Sequence, residues 1–308
     1  MSDATHIYYP PHLAMVNVTI IWALIILFII QPDIAHEGAV AGAQLFLHAL
    51  LPYLLPYIIL TQWLLKMPSN RLQKNRWAKY IKAYVLGSFG GFPVGAVTVS
   101  EMKKSGELSS RESSLLLAAC HAPGPMFIIG FVGNELFGSV ADGWKLLLAI
   151  HVANIAFFLL SLIFLQSTPQ SSLPQTVSHN PKTSPLLSSI KDSSSVILLV
   201  ATTVIFFSSL GNVLSHVVSA IFPVDMDITK TLLLAIFEMT SGVQAATEHF
   251  SGTIIYPILI AAILSINGLS IHMQVMTLAK GAGISLLPYI VGRAWNIALV
   301  PLLFFWIY

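Results

Sequence analysis

Two charged side chains stand where charge is expensive. Glu238 lies in the middle of the short apolar run 231–247, and Arg293 is the only charge between Lys280 and the C-terminus. Arg293 follows Ile284 by nine positions, or about 14 Å at the helical rise, close to the middle of a ~30 Å hydrocarbon core. Intramembrane charges face a cavity or a partner as a rule. Two chemistries follow. The pair could form an ion bridge, or Arg293 could meet an acidic group of a solute with both prongs of its fork. Further polar residues gather at breaks in apolar runs. His121 sits beside Pro123 and Gly124; Thr240, Ser241 and Gln244 follow Glu238; Asn267, Ser270 and His272 form a matching polar break. Their plain alternative is interhelical hydrogen bonding. Cys120 beside His121 suggests a metal, but helical neighbours point apart, zinc takes three or four ligands, and the chain has one cysteine. No metal or cofactor is expected. HExxH, GxSxG, P-loop and dinucleotide patterns are missing, so the expected chemistry is binding and not catalysis.

These side chains need walls. Residues 83–100 carry no charge, yet Lys66, Arg71, Lys74, Arg76, Lys79 and Lys82 precede them, and Lys103, Lys104 and Arg111 follow. Short loops rich in Lys and Arg stay in the cytoplasm. A segment that enters and leaves on one side has not crossed. It reads as a re-entrant hairpin, each arm roughly nine residues or about 13 Å long, bending over Gly91, Phe92, Pro93 and Gly95. Backbone leaves helical geometry at that depth only inside protein or beside a wet cavity. The alternative is close helix packing, since Gly87, Gly91 and Gly95 are spaced small-xxx-small.

Composition sets the medium. The chain has 308 residues, 56% hydrophobic and 9% charged, against ~25% charged in soluble domains. It reads as an all-α polytopic protein of the cell membrane. Residues 13–30 form an apolar run without a basic n-region or a cleavage site, expected as a retained first helix. The basic stretch 66–82, with Trp77 and Tyr80, marks the cytoplasmic face and touches anionic lipid; no nucleic-acid partner is expected.

Four parts are expected. Residues 1–38 hold a transmembrane helix and an external turn, and 39–165 a first repeat. Residues 166–195, rich in Pro and Ser, read as a flexible cytoplasmic linker, and 196–308 as a second repeat. Each repeat orders a spanning helix, a glycine-containing hairpin, a helix broken at a glycine, and a last spanning helix. The first hairpin opens inside and the second outside, which makes the repeats inverted. On this topology Lys145, Lys230 and Arg293 are the only basic residues not inside.

The motifs Gly90-Gly-Phe-Pro-Val-Gly-Ala96, Val99-Ser-Glu101 and Ala118-Ala-Cys-His-Ala-Pro-Gly-Pro-Met-Phe-Ile-Ile-Gly130 occur in that order. Phe237-Glu-Met-Thr-Ser-Gly242, Asn267-Gly-Leu-Ser-Ile-His272 and Pro288-Tyr-x3-Arg293 follow. The set resembles the YlbJ-type sporulation integral membrane proteins over nearly the whole chain after residue 40. That family carries the nucleoside-recognition or gate domain, shared with concentrative nucleoside transporters and the membrane part of ferrous-iron transporters. The resemblance implies a gate-type transport fold and a role in spore envelope formation. The expectation is a secondary transporter or gate for a small polar solute, anionic or nucleoside-like, with room for a coupling ion and a homo-oligomer. The competing class is a non-transporting scaffold in spore or cell-envelope assembly. An intramembrane enzyme is the weakest reading.

Overall fold

The computed structural model describes residues 11–67, 76–165 and 184–308. No strand occurs among them. The first apolar run forms α1 (Pro11–Ile30). A single helical rod of 35 residues, Pro32–Lys66, follows. It consists of α2 (Pro32–Leu45), a π-helical turn (Phe46–Leu50) and α3 (Leu51–Lys66). Pro52 has no N–H to donate to the preceding turn. The helix widens into the π turn just before it and stays unbroken.

A helix pair comes next, α4 (Arg76–Gly90) and α5 (Val94–Lys104), joined by a tight turn at 91–93. Then α6 (Ser110–Ala119) stops, and the chain resumes as a π-helical segment (Phe127–Leu136) before α7 (Val140–Leu165). Ser109 and Glu112 start α6 with a reciprocal capping box, which satisfies two orphan donors. The second half repeats the order: α8 (Pro185–Ile221), the pair α9 (Met226–Phe237) and α10 (Met239–Phe250), the interrupted helix α11 (Tyr256–Ile266) and α12 (Gly268–Gly281), and α13 (Leu287–Ile307).

Two boundaries differ from expectation. Residues 32–38, expected as an external turn, belong to α2, whose first turn starts at Pro32. Pro185 to Ser195 belongs to α8 and not to a linker. The serines there satisfy themselves within the helix, Ser189 donating to the Pro185 carbonyl at 2.7 Å and Ser193 to the Ser189 carbonyl at 2.6 Å. Lys66 bonds Ser188 at 2.9 Å and pairs with Asp192. Serine content signalled a loop, but these hydroxyls bond the helix's own carbonyls. The linker expectation for 166–183 and the basic loop 68–75 lie outside the described residues.

Polar contacts gather at two ends of the molecule. At one, Lys82 pairs with Glu107 at 3.0 Å, Arg76 donates to the Leu165 carbonyl, and Lys103 donates to the Gly283 carbonyl. The open ends of the α4–α5 pair therefore lie together at this basic end. At the other, His249 lies 3.2 Å from Asp227, joining the open ends of α9–α10. Tyr256 hydroxyl connects Thr247 at 2.9 Å with the Leu136 carbonyl at 3.2 Å, and Lys145 donates to the Tyr308 carbonyl. The two helix pairs thus open at opposite ends.

The halves meet where α8 runs along α2 and α3. A Cβ on Gly38 would fall 2.8 Å from Asn212 Cβ, and one on Gly42 2.7 Å from Ser208. Ser209 and Asn212 donate to the Ala35 and Ile34 carbonyls. This is close packing of small residues with polar bonds across helices. Gly87 serves the same end inside the first half, its Cβ position lying 3.1 Å from Gly95 Cα. Packing and bending are both at work in that motif. Outside, apolar side chains are exposed along α1, α7 and α13, with Trp77 at the basic end and Trp144 and Trp306 at the other, the places aromatic belts occupy.

Cysteines at Ser105 and Ser251, in a Cys120→Ser background, are expected to react with impermeant thiol reagents from opposite sides, Ser105 from the cytoplasm. Labelling of both from one side would contradict the assignment of the ends.

Candidate functional site

Each helix pair ends in a turn that touches the interruption of its own half. Gly91, at φ +79°, sits so close that a Cβ would lie 2.8 Å from the Gly124 nitrogen. Gly268, at φ +64°, would place a Cβ 2.8 Å from the Met239 nitrogen. Backbone contact of this kind requires glycine, and the left-handed conformation favours it. Gly95 fits against the Cys120 carbonyl in the same way, at 3.0 Å.

Glu238 is the one extended residue between α9 and α10, and only 1% exposed. Its Oε2 accepts from the Ser241 N–H at 2.6 Å and its Oε1 faces the Ser270 hydroxyl at 3.4 Å. The carboxylate caps α10, where the helix dipole favours negative charge. Glutamate is not among the favoured N-caps, which are Ser, Thr, Asp and Asn.

Between the two turns lies a cavity. Phe92, Pro123 and Gly124 line it from the first half, Glu238, Thr240 and Gln274 from the second, and Tyr53 from α3. Its volume is about 30 Å³, room for about two waters. In this conformation it is too small for an organic solute.

Arg293 takes a different partner set from the one expected. It is 5% exposed and forms no ion pair with Glu238, whose carboxylate is taken up by α10 and Ser270. One guanidinium nitrogen reaches the Ala118 carbonyl at 3.5 Å. Another reaches the Asn267 side-chain oxygen at 3.0 Å, with the amide turned so that its nitrogen donates to the Leu264 carbonyl. Ala118 lies at the end of α6, and Asn267 is the cap residue at the end of α11. The negative ends of two half-helices thus converge on one buried cation. The guanidinium also lies 5.6 Å from the Tyr289 ring centre, and Tyr289 hydroxyl bonds His272 Nδ1 at 2.9 Å. His121 is packed between Phe92 at 4.5 Å and Tyr289 at 5.3 Å, ring centre to ring centre. Both of its ring nitrogens and Arg293 Nε are buried without hydrogen-bond partners among the described residues. Unmade bonds of this kind are costly.

Of the expected residues, Gly95 packs against Cys120 and His121, and the others divide into three places. Phe92, Pro123, Gly124, Glu238 and Thr240 line the cavity, backed by Gly91, Pro93 and Ser270. His121, Asn267, His272 and Arg293 form a polar cluster behind the Phe92 ring. Ser241 and Gln244 face a second cavity. Sequence reasoning missed Tyr53, one aromatic in an apolar run, for which no local signal existed. It placed Tyr289 in a motif without a role. Among the described residues no group of three metal-ligating side chains occurs.

No family model matches the chain, and no solved structure matches it. Among curated proteins it is similar to the sporulation integral membrane protein YlbJ of Bacillus subtilis (strain 168). Identity is 22% over 307 aligned residues, covering 85% of this chain and 75% of the relative. The resemblance seen in the motifs is supported along the chain's length. Five described helices are long and apolar enough to cross a membrane: Pro32–Lys66, Val140–Leu165, Pro185–Ile221, Tyr256–Gly281 and Leu287–Ile307. The chain is a multi-pass membrane protein with a sporulation-associated relative.

Proposed function

We propose that this membrane protein is a secondary transporter or gate for a small polar solute whose acidic group is met by Arg293. The observation that carries this reading is the buried cluster of Arg293 and His121, with hydrogen-bonding capacity unused, one aromatic ring away from a cavity shared by both halves. Phe92 is that ring. Its displacement joins the cavity to the cluster and makes room for a solute that the occluded form excludes.

The repeated element order and the opposite openings of α4–α5 and α9–α10 support two inverted repeats with re-entrant hairpins. Alternating access is then a rocking of one repeat against the other about the helix breaks. The basic end faces the cytoplasm. Arg293 supplies a planar fork for an oxyanion, and Glu238, Thr240 and Gln274 supply acceptors and donors for the rest of the solute. A nucleoside-like solute would use the latter set without Arg293.

A second reading is a non-transporting scaffold in spore or cell-envelope assembly, favoured by the similarity to a sporulation integral membrane protein. Purified protein in liposomes decides between them. Small organic acids or nucleosides are expected to raise the unfolding temperature and to show protein-dependent uptake. A panel of both classes giving neither shift nor uptake would leave the scaffold standing.

A further inference from the structure

Helix α10 has a polar face turned away from the solute cavity. Ser241, Gln244 and Glu248 succeed one another at helical spacing. With Glu37 on α2, Lys230 on α9 and Ser208 on α8, they line a second cavity of about 80 Å³, room for about five waters. Its mouth lies at the end opposite the basic one, where Glu37 and Glu248 are exposed. Asp33 and His36 stand beside Glu37 on the adjoining surface. At its floor the Ser241 and Ser208 hydroxyls meet at 2.7 Å, and the Ser241 N–H bonds Glu238 at 2.6 Å. Glu238 itself lines the other cavity. One buried carboxylate thus lines the first cavity and, through Ser241, touches the wall of the second, which opens at the surface.

We propose that Glu238 takes up and releases a proton through this second cavity, with the Ser241–Ser208 hydroxyl pair as the last link. Uptake turns the carboxylate into a neutral acid, release reverses it, and no other bond changes. The groups facing this route are few. From α3 comes Tyr53, from α2 Glu37, from α9 Lys230 and from α10 Glu248; α8 offers Ser208 and Asn212 and α12 offers Ser270 and Gln274, all uncharged. Two acids against one lysine at the mouth raise the local concentration of cations, protons included. A glutamate at a cap position that usually takes shorter residues lines the first cavity and bonds Ser241, which lines the second. The purpose of the exchange, coupling to solute movement, rests on the transporter reading; the exchange itself does not.

The test uses full-length protein in lipid nanodiscs, carrying Cys120→Ser and Gln244→Cys. A water-soluble carbodiimide, which adds to protonated carboxyl groups, is applied over a pH series, and the adduct at Glu238 is quantified by peptide mass spectrometry. Labelling is expected to fall as pH rises. Prior reaction of the introduced thiol with a bulky impermeant reagent is expected to slow it several-fold. Because the block is added after folding, misfolding does not confuse the result. A thiol that fails to react, labelling independent of pH, or labelling unchanged by the block would overturn the proposal. Solute uptake by the same protein is measured separately. Labelling as expected in a protein without uptake removes the transport reading and keeps the proton route.

Discussion

Arg293→Met is expected to abolish binding of an acidic solute while leaving stability within about 1 kcal/mol of the parent protein. The charge costs near ~3 kcal/mol at mid-membrane on insertion scales. Against that stand hydrogen bonds to a charged group, about 1.5–3 kcal/mol, from the Ala118 and Asn267 oxygens. The carbonyl ends of α6 and α11 add about 0.3–1 kcal/mol each. These terms offset, so removing all of them together changes little. A buried ion pair would behave differently, since deleting one partner costs about 3–5 kcal/mol. Thermal unfolding in detergent separates the two cases. Combined with Glu238→Gln, the effects are expected to add within about 0.5 kcal/mol, as for sites that share no contact. Rescue by the double mutant would restore the ion pair and remove the solute role. Arg293→Lys keeps the charge and loses the fork. It is expected to weaken binding about tenfold or more, near 1.4 kcal/mol per decade.

The largest stability effects are expected where each turn meets the break of its own half. Gly91→Ala and Gly268→Ala should each cost about 2–5 kcal/mol, the sum of about 1–2 for a left-handed alanine and about 1–3 for overpacking. The overpacking arises because a Cβ on Gly91 falls 2.8 Å from the Gly124 nitrogen at the break, and one on Gly268, at the other break, 2.8 Å from the Met239 nitrogen at the turn. Gly138 is the control. It has φ +63° and nothing within 4 Å of a Cβ, so Gly138→Ala should cost only the conformational part, about 1–2 kcal/mol. Equal losses at all three positions would show that the contact between turn and break contributes nothing.

Local signals in the sequence carried much of the architecture. Apolar runs, basic flanks and Gly or Pro interruptions are short-range properties, and they located the helices, both tight turns and both helix breaks within a few residues. Gly124, Asn267 and Gly268 announced their breaks because each residue type has a backbone reason to stop a helix. The start of α8 was misplaced by about ten residues, because serine composition does not reveal that Lys66, far along the chain, holds Ser188 and Asp192 in a helix.

Pairing across the fold was beyond reach of the sequence. Charge and depth suggested that Glu238 and Arg293 meet. The folded chain instead gives Glu238 to its own helix and Arg293 to the Ala118 carbonyl at the end of α6 and the Asn267 side chain at the end of α11. Which acceptor a buried charge finds depends on where three or four distant backbones converge, and residue type does not encode that. The same holds for Tyr53 in the cavity wall, for the Phe92 ring that divides cavity from cluster, and for the Ser208–Ser241 contact beneath Glu238. Sequence determined that polar groups would lie at broken helices inside a membrane. Tertiary packing alone decided which of them face one another, because those contacts join residues far apart in the chain.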